Sequence, residues 1–308
     1  AGGSEPLPRV QNRVVAIDKF SVIAVEELKR WHLEKVNIKY GRLVITTPSE
    51  EFVADGIDAN AVLLDDLSFA VNAKIVGREG DWSWDLKRTV TPETGTRNIS
   101  VTLNDASLRD LLPTHSFAQG DKLANTRLSV EANAELWPTG EFVKADMNVR
   151  TSPIFIRTAP DNSVTIDEAF LALSLQRDNP DIVIGRSHVR RKDTRIVFGG
   201  VLQPPVTEGA EWSYTLGSRE IVVAPDDVKS PPLVFPDAYA LGTFDPANSL
   251  VSIDRARAVG LDADINVAGS FYYGKPGPSL ALSVFSPSLS FGEVLQVWPT
   301  ITAPRVRT

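Results

Sequence analysis

The chain has no cysteine in 308 residues, which excludes a disulfide framework, a thiolate metal site and a cysteine nucleophile together. Histidine is almost as scarce. His32, His115 and His188 lie far apart, and none has a partner at metal-ligand spacing. No stretch approaches the roughly 20 apolar residues that a membrane-crossing helix needs, and the opening "AGGSEPLP" has neither the basic nor the apolar region of a secretory signal. Positive charge is not concentrated either: 32 Lys and Arg against 39 Asp and Glu leave a net charge of −7, with no basic stripe of the kind a nucleic-acid surface requires. Gly-rich phosphate loops and the G-x-S-x-G elbow are also missing. Asp65 with Asp66, and Asp178 with Asp181, sit in or beside turn sequences and read as solvated turn residues. The chain therefore reads as a non-enzyme that needs no cofactor and no metal.

What the sequence does contain is period-two alternation. "LSFAVNAKIV" puts Leu67, Phe69, Val71 and Ile75 on one side and Ser68, Asn72 and Lys74 on the other. "LSVEANAEL" does the same with Leu128 and Val130, "AFLALSLQ" with Leu171 and Leu173, and "SLALSV" with Leu282 and Val284. Such strands belong to antiparallel sheets with one apolar and one wet face. "GREGD", "TPETGTRN", "RDNPD" and "GKPGP" supply the turns. Long helices are not expected, apart from a segment around Ala24 to Trp31.

Short helices punctuate the strands. In "SLRDLL", Ser107 precedes Asp110 by three residues, and Leu108, Leu111 and Leu112 share a face before Pro113. "SFGEVL" repeats the device with Ser290 and Glu293 ahead of Trp298 and Pro299, which is the capping-box spacing. "VVAIDKFSVIAVEELKRWH" is a weaker echo, read as a strand running into a helix without a cap serine. The interval between copies varies, so this is a loose array of β units and not a tight solenoid. A division near Gly120 gives two segments, residues 1–119 and 120–308.

Several inward positions are small: Ala73, Ala132, Ala134, Ala172 and Ala281 leave room beside the sheet. A packed sandwich would fill that room with larger side chains. The fold expected is all-β, a curved antiparallel sheet forming an open apolar groove. Its wall candidates are Leu67, Phe69, Val71, Ile75, Leu128, Val130, Leu171, Leu173, Leu282 and Val284. One basic stretch, "GRSHVRRKDTR", offers Arg186, Arg190, Arg191, Lys192 and Arg195 either as a wet strand face or as a site for anionic lipid headgroups.

The ending "SLSFGEVLQVWPTITAPRVRT", with "DRARAVGLDADINVAGSFYYG" and "DEAFLALSLQ…DTRIVFGG" before it, resembles the YhdP-type branch of the AsmA-like bacterial envelope proteins. The resemblance runs diffusely from about residue 98 onward. It implies repeating β-groove units and a protein of the periplasm, tethered to the inner membrane by a helix absent from this chain. Phospholipid acyl chains would be its cargo, passed between inner and outer membranes that regions outside this segment contact, and a monomer is expected. The alternative class is an extracellular or periplasmic β-sandwich module that binds a glycan or a protein. That reading requires a closed two-layer interior and exposed aromatics, for which Trp82 and Trp84 are the candidates.

Overall fold

The computed structural model describes residues 9–46, 51–65, 67–111, 125–151, 153–159, 162–205, 210–224, 231–260, 263–272 and 279–287. Antiparallel β-structure dominates them, with two helices among the described residues. The chain forms two compact units, residues 1–151 with 174–179, and residues 152–173 with 180–308. The division expected near Gly120 falls within residues 112–124, outside the described residues.

Unit 1 begins with helix α1 (Arg9–Arg30) and continues with strands β1 (Lys35–Thr46), β2 (Glu51–Leu63), β3 (Phe69–Ile75), β4 (Trp82–Val90) and β5 (Arg97–Ser107). Helix α2 (Leu108–Leu111), β6 (Arg127–Leu136) and β7 (Phe142–Thr151) follow. The seven strands lie side by side in chain order and β1 does not meet β7, so the sheet is open and not a barrel. Cross-strand partners share a face. The register lines up Ala61, Val71, Leu86, Val101, Ala132 and Met147 in one row, and Ala59, Ala73, Trp84, Leu103, Val130 and Val149 in the next. The alternate pairs, such as Asn72 with Asp85 and Thr102 with Glu131, are polar and form the other face. Between Leu103 and Ala106 the register slips, and Asp105 there has a φ of 55°. A bulge of this kind bends the strand and increases its twist.

The Ser107 device forms as read. Its hydroxyl accepts from the backbone N–H of Asp110 at 3.2 Å and donates to the Asp110 carboxylate at 2.9 Å. Leu111 then packs on Ala54, Ile75, Trp82 and Ala106 at one end of the strands. The later copy, Ser290 to Trp298, lies outside the described residues.

The stretch read as a strand leading into a short helix is instead all helix, the 22 residues of α1. The reason is visible in what it buries. Gln11, Asp18, Ser21 and Val25 face inward at i, i+7, i+10 and i+14, a helical stripe made mostly of polar residues. Hydrophobic periodicity could not detect it.

Unit 2 opens with a hairpin of β8 (Ile154–Ala159) and β9 (Asn162–Ile166). Next come β10 (Glu168–Gln176), whose last three residues belong to unit 1, then β11 (Asn179–Arg191), β12 (Thr194–Gln203) and β13 (Trp212–Val223). The rest are β14 (Leu233–Phe235), β15 (Asp237–Asp245), β16 (Leu250–Val259), β17 (Asp264–Tyr272) and β18 (Ser279–Phe285). From β10 onward they pair in chain order, except that β15 as well as β14 pairs with β13. One apolar row crosses them: Gly200, Leu216, Ala240, Ala256, Val267 and Val284. One extra residue in β16 brings Ile253 and Ala256 to the same face. Gly242, opposite this bulge, has to be bare, since a Cβ there would stand 1.9 Å from the Ser252 carbonyl oxygen. Glycine next to a bulge lets a strand bend sharply.

Candidate functional site

The apolar face of unit 1 has a cover. Helix α1 crosses it over the end of the strands where Phe69, Ile99, Leu136 and Phe142 are nearly lost to solvent. Its anchor is Asp18, whose carboxylate accepts from Arg88 Nε at 2.8 Å and Arg97 Nη1 at 2.5 Å. Asp18 and Arg88 are both buried. Gln11 adds a bond from Nε2 to the Gln176 carbonyl.

Unit 2 has no helix among its described residues. Its apolar face holds a cavity of about 370 Å³ lined by Ile196, Leu216, Ile221, Phe235, Ala256 and Val267, among others. Of the apolar residues in this unit, only Val197, Phe235, Ala238 and Ala263 are fully buried among the described ones. Leu216, Ala240, Ala256 and Val267 remain half-exposed, which is the signature of a single layer and not of a sandwich interior.

Polar groups near the cavity are engaged elsewhere. Ser218 Oγ donates to the Val197 carbonyl. Arg257 gives Nε and Nη2 to the two Asp264 carboxylate oxygens at 3.0 and 2.7 Å. These bonds hold the Asp264 carboxyl below the usual range and raise the guanidinium. Tyr214, in the adjoining row, donates to the Ser252 carbonyl at 2.9 Å, and burial, with Asp254 nearby, pushes its phenol up. What the cavity presents to a guest is hydrocarbon.

No family model, no curated protein and no solved structure matches the chain. The function therefore has to be argued from this geometry.

The wall candidates read from alternation are distributed over both units. Phe69, Val71, Ile75, Leu128 and Val130 lie on the apolar face of unit 1, and Phe69 and Val71 line a cavity beside α1. Leu282 and Val284 register with Gly269 and Val267 on the apolar face of unit 2. Phe170 stacks on His188, so Leu171 and Leu173 point to the opposite side, the face of Val189 and Ile196. Leu67 precedes β3 in a turn held by Asp65, whose carboxylate accepts from the Leu67 N–H, and its side chain is exposed. That bond also lowers the Asp65 carboxyl. None of the ten lines the unit 2 cavity; its floor was not singled out by alternation.

The basic stretch spans the hairpin from β11 to β12. Arg186 and Arg195 both meet Glu220 at 3.1 Å, and Arg190 and His188 meet Glu168 at 3.5 and 3.6 Å. The Lys192 backbone N–H bonds Asp167 at 2.5 Å. Arg190 pairs directly with Arg195 in register, one position off Val189 and Ile196, and so lies on the face away from the cavity. Arg191, two residues beyond Val189, falls on the cavity face at the hairpin end. Of the two tryptophans the binding-module reading would need exposed, Trp82 is buried and Trp84 packs against the same cluster.

Among the described residues no group of three His, Asp or Glu could hold a metal ion, and no helix is long and apolar enough to cross a membrane.

Proposed function

We propose that this chain is a segment of a periplasmic β-groove protein, tethered to the inner membrane, which shields or conducts phospholipid acyl chains between the two bacterial membranes. The observation that carries this reading is the unit 2 cavity, about 370 Å³ of apolar space on a sheet face that no helix among that unit's described residues covers. Leaving such a surface in water is costly, and each buried methylene returns about 0.8 kcal/mol. A chain of a dozen or more methylenes therefore gains on the order of 10 kcal/mol from a dry wall of this kind. The attraction is non-directional, so a uniform apolar floor lets hydrocarbon slide without deep traps.

Phospholipid extracted from the gently purified chain, identified by mass spectrometry, tests the reading. Ala256→Phe fills the cavity floor opposite Ala240 and Val267. The variant should fold as the parent does and carry much less lipid, whereas an unchanged lipid load would remove the cavity from the groove. A headgroup docking on the basic hairpin would have to compete with Glu220 and Glu168 for the arginines.

A further inference from the structure

Helix α1 is built inside out. Its buried stripe is mainly polar, while Phe20 and Trp31, on it and just past its end, are 70% and 69% exposed, and Ile17 and Ile23 are exposed as well. A helix whose only task was to seal the sheet would turn these side chains inward. Two cavities border this one side of the helix. One, of about 410 Å³, is bounded by Ile17 and Phe20 above and by Trp84, Leu86 and Val101 below. The other, of about 270 Å³, lies between Leu28 and Trp31 and the floor residues Val36, Ala61 and Val71.

The floor of both is the same row of the sheet, Ala61, Val71, Leu86 and Val101 in direct register. From Ala16 to Trp31 the helix advances about 22 Å at 1.5 Å per residue. From β1 to β5 the floor crosses four strand spacings, about 19 Å. The two lengths agree, so the cavities lie along one slot parallel to the helix and across the strands. Trp84, from the next row of the sheet, also lines the larger cavity.

The helix and the sheet floor restrict what can enter. The volumes suit a chain of methylenes and exclude a packed helix, which is about 10 Å across. The two polar side chains on the lining are already committed: Ser21 Oγ donates to the Ile17 carbonyl at 2.7 Å and Glu27 pairs with Arg30 at 3.0 Å. The occupant is thus narrow, about two nanometres long and free of polar groups along its length.

We infer that the slot beside α1 is a dedicated site for one extended acyl chain, with α1 as its wall. This rests on the hydrocarbon reading of the sheet's apolar face. It adds that unit 1 holds a single chain in a fixed direction, parallel to the helix.

The test uses the full chain and phosphatidylcholine carrying a dibrominated stearoyl chain, since bromine quenches tryptophan on contact. Trp84 and Trp31 should be quenched, and the double variant Trp31→Phe with Trp84→Phe should lose most of the effect. If Trp84→Phe impairs folding, Phe20→Trp places a new reporter at an exposed position, and quenching should increase. Quenching that survives the double variant and vanishes in Trp212→Phe, on the apolar face of unit 2, would overturn the slot and leave the groove of unit 2 standing. No quenching of any tryptophan would overturn both.

Discussion

In unit 1, Phe69, Ile99, Leu136 and Phe142 are withdrawn from solvent because α1 lies over them; in unit 2, Leu216, Ala240, Ala256 and Val267 hold comparable places on the apolar face and stay half-exposed. The two faces share one design, alternating strands with small residues among the inward ones. Among the described residues, they differ in whether a segment of the same chain is laid across them. A buried ion pair attaches that segment, and such a pair fixes position better than it adds stability. Among the described residues, the difference teaches that the apolar face does not depend on being filled by the protein itself. There, unit 1 retains a slot beside its cover, and unit 2 retains an open floor.

The comparison can be broken most severely at Asp18. Asp18→Ala strands Arg88, 3% exposed, as an unpaired buried cation, and removing one partner of such a pair costs about 3–5 kcal/mol. Chemical denaturation followed by circular dichroism should show that loss, with new protease cleavage in α1. Asp18→Leu combined with Arg88→Met should recover most of it. A loss under about 1 kcal/mol, the range of an exposed pair, would mean that α1 is not held by this contact.

A smaller effect is expected at the other end of unit 1. Ser107→Ala removes the cap of α2 and should destabilise by about 1 kcal/mol, read in the same denaturation experiment. No change would mean that the Asp110 contact is incidental to the closed end of the strands.

The smallest effect belongs to unit 2. The Asp264 carboxyl is held below its ordinary value by Arg257, so its contribution is complete above the unfolded pKa near 3.8 and disappears as pH falls through the lower folded value. Stability should be flat from neutrality to about pH 5 and decline below about pH 4. Asp264→Asn should make that decline shallower, and high salt should do the same, because the pair is partly exposed. An identical acid limb in parent and variant would show that the pair contributes nothing.

Strands were legible wherever alternation ran unbroken, as in β3, β6, β10 and β18, and so was the Ser107 cap, because its residue types follow from hydrogen bonding. Two things were hidden. α1 buries Gln11, Asp18 and Ser21 and exposes Ile17, Phe20 and Ile23, which reverses the pattern that reveals an amphipathic helix. The unit 2 cavity lies where bulges shift the phase. In β16, Val251 and Ile253 precede the irregularity and Ala256 and Ala258 follow it, all on one face, so no single period-two frame contains them. A bulge flips every side chain after it, and only the pairing partner discloses where it falls.

The central claim is that hydrocarbon occupies one face of the unit 2 sheet and not the other. A photoreactive benzophenone amino acid placed at Leu216, on the cavity face, and separately at its neighbour Thr215, on the opposite face, tests this in the intact chain exposed to phospholipid. Adducts of phospholipid mass should form from position 216 and not from 215. Equal adduct formation from both positions, or none from 216 in a folded protein, would contradict the account.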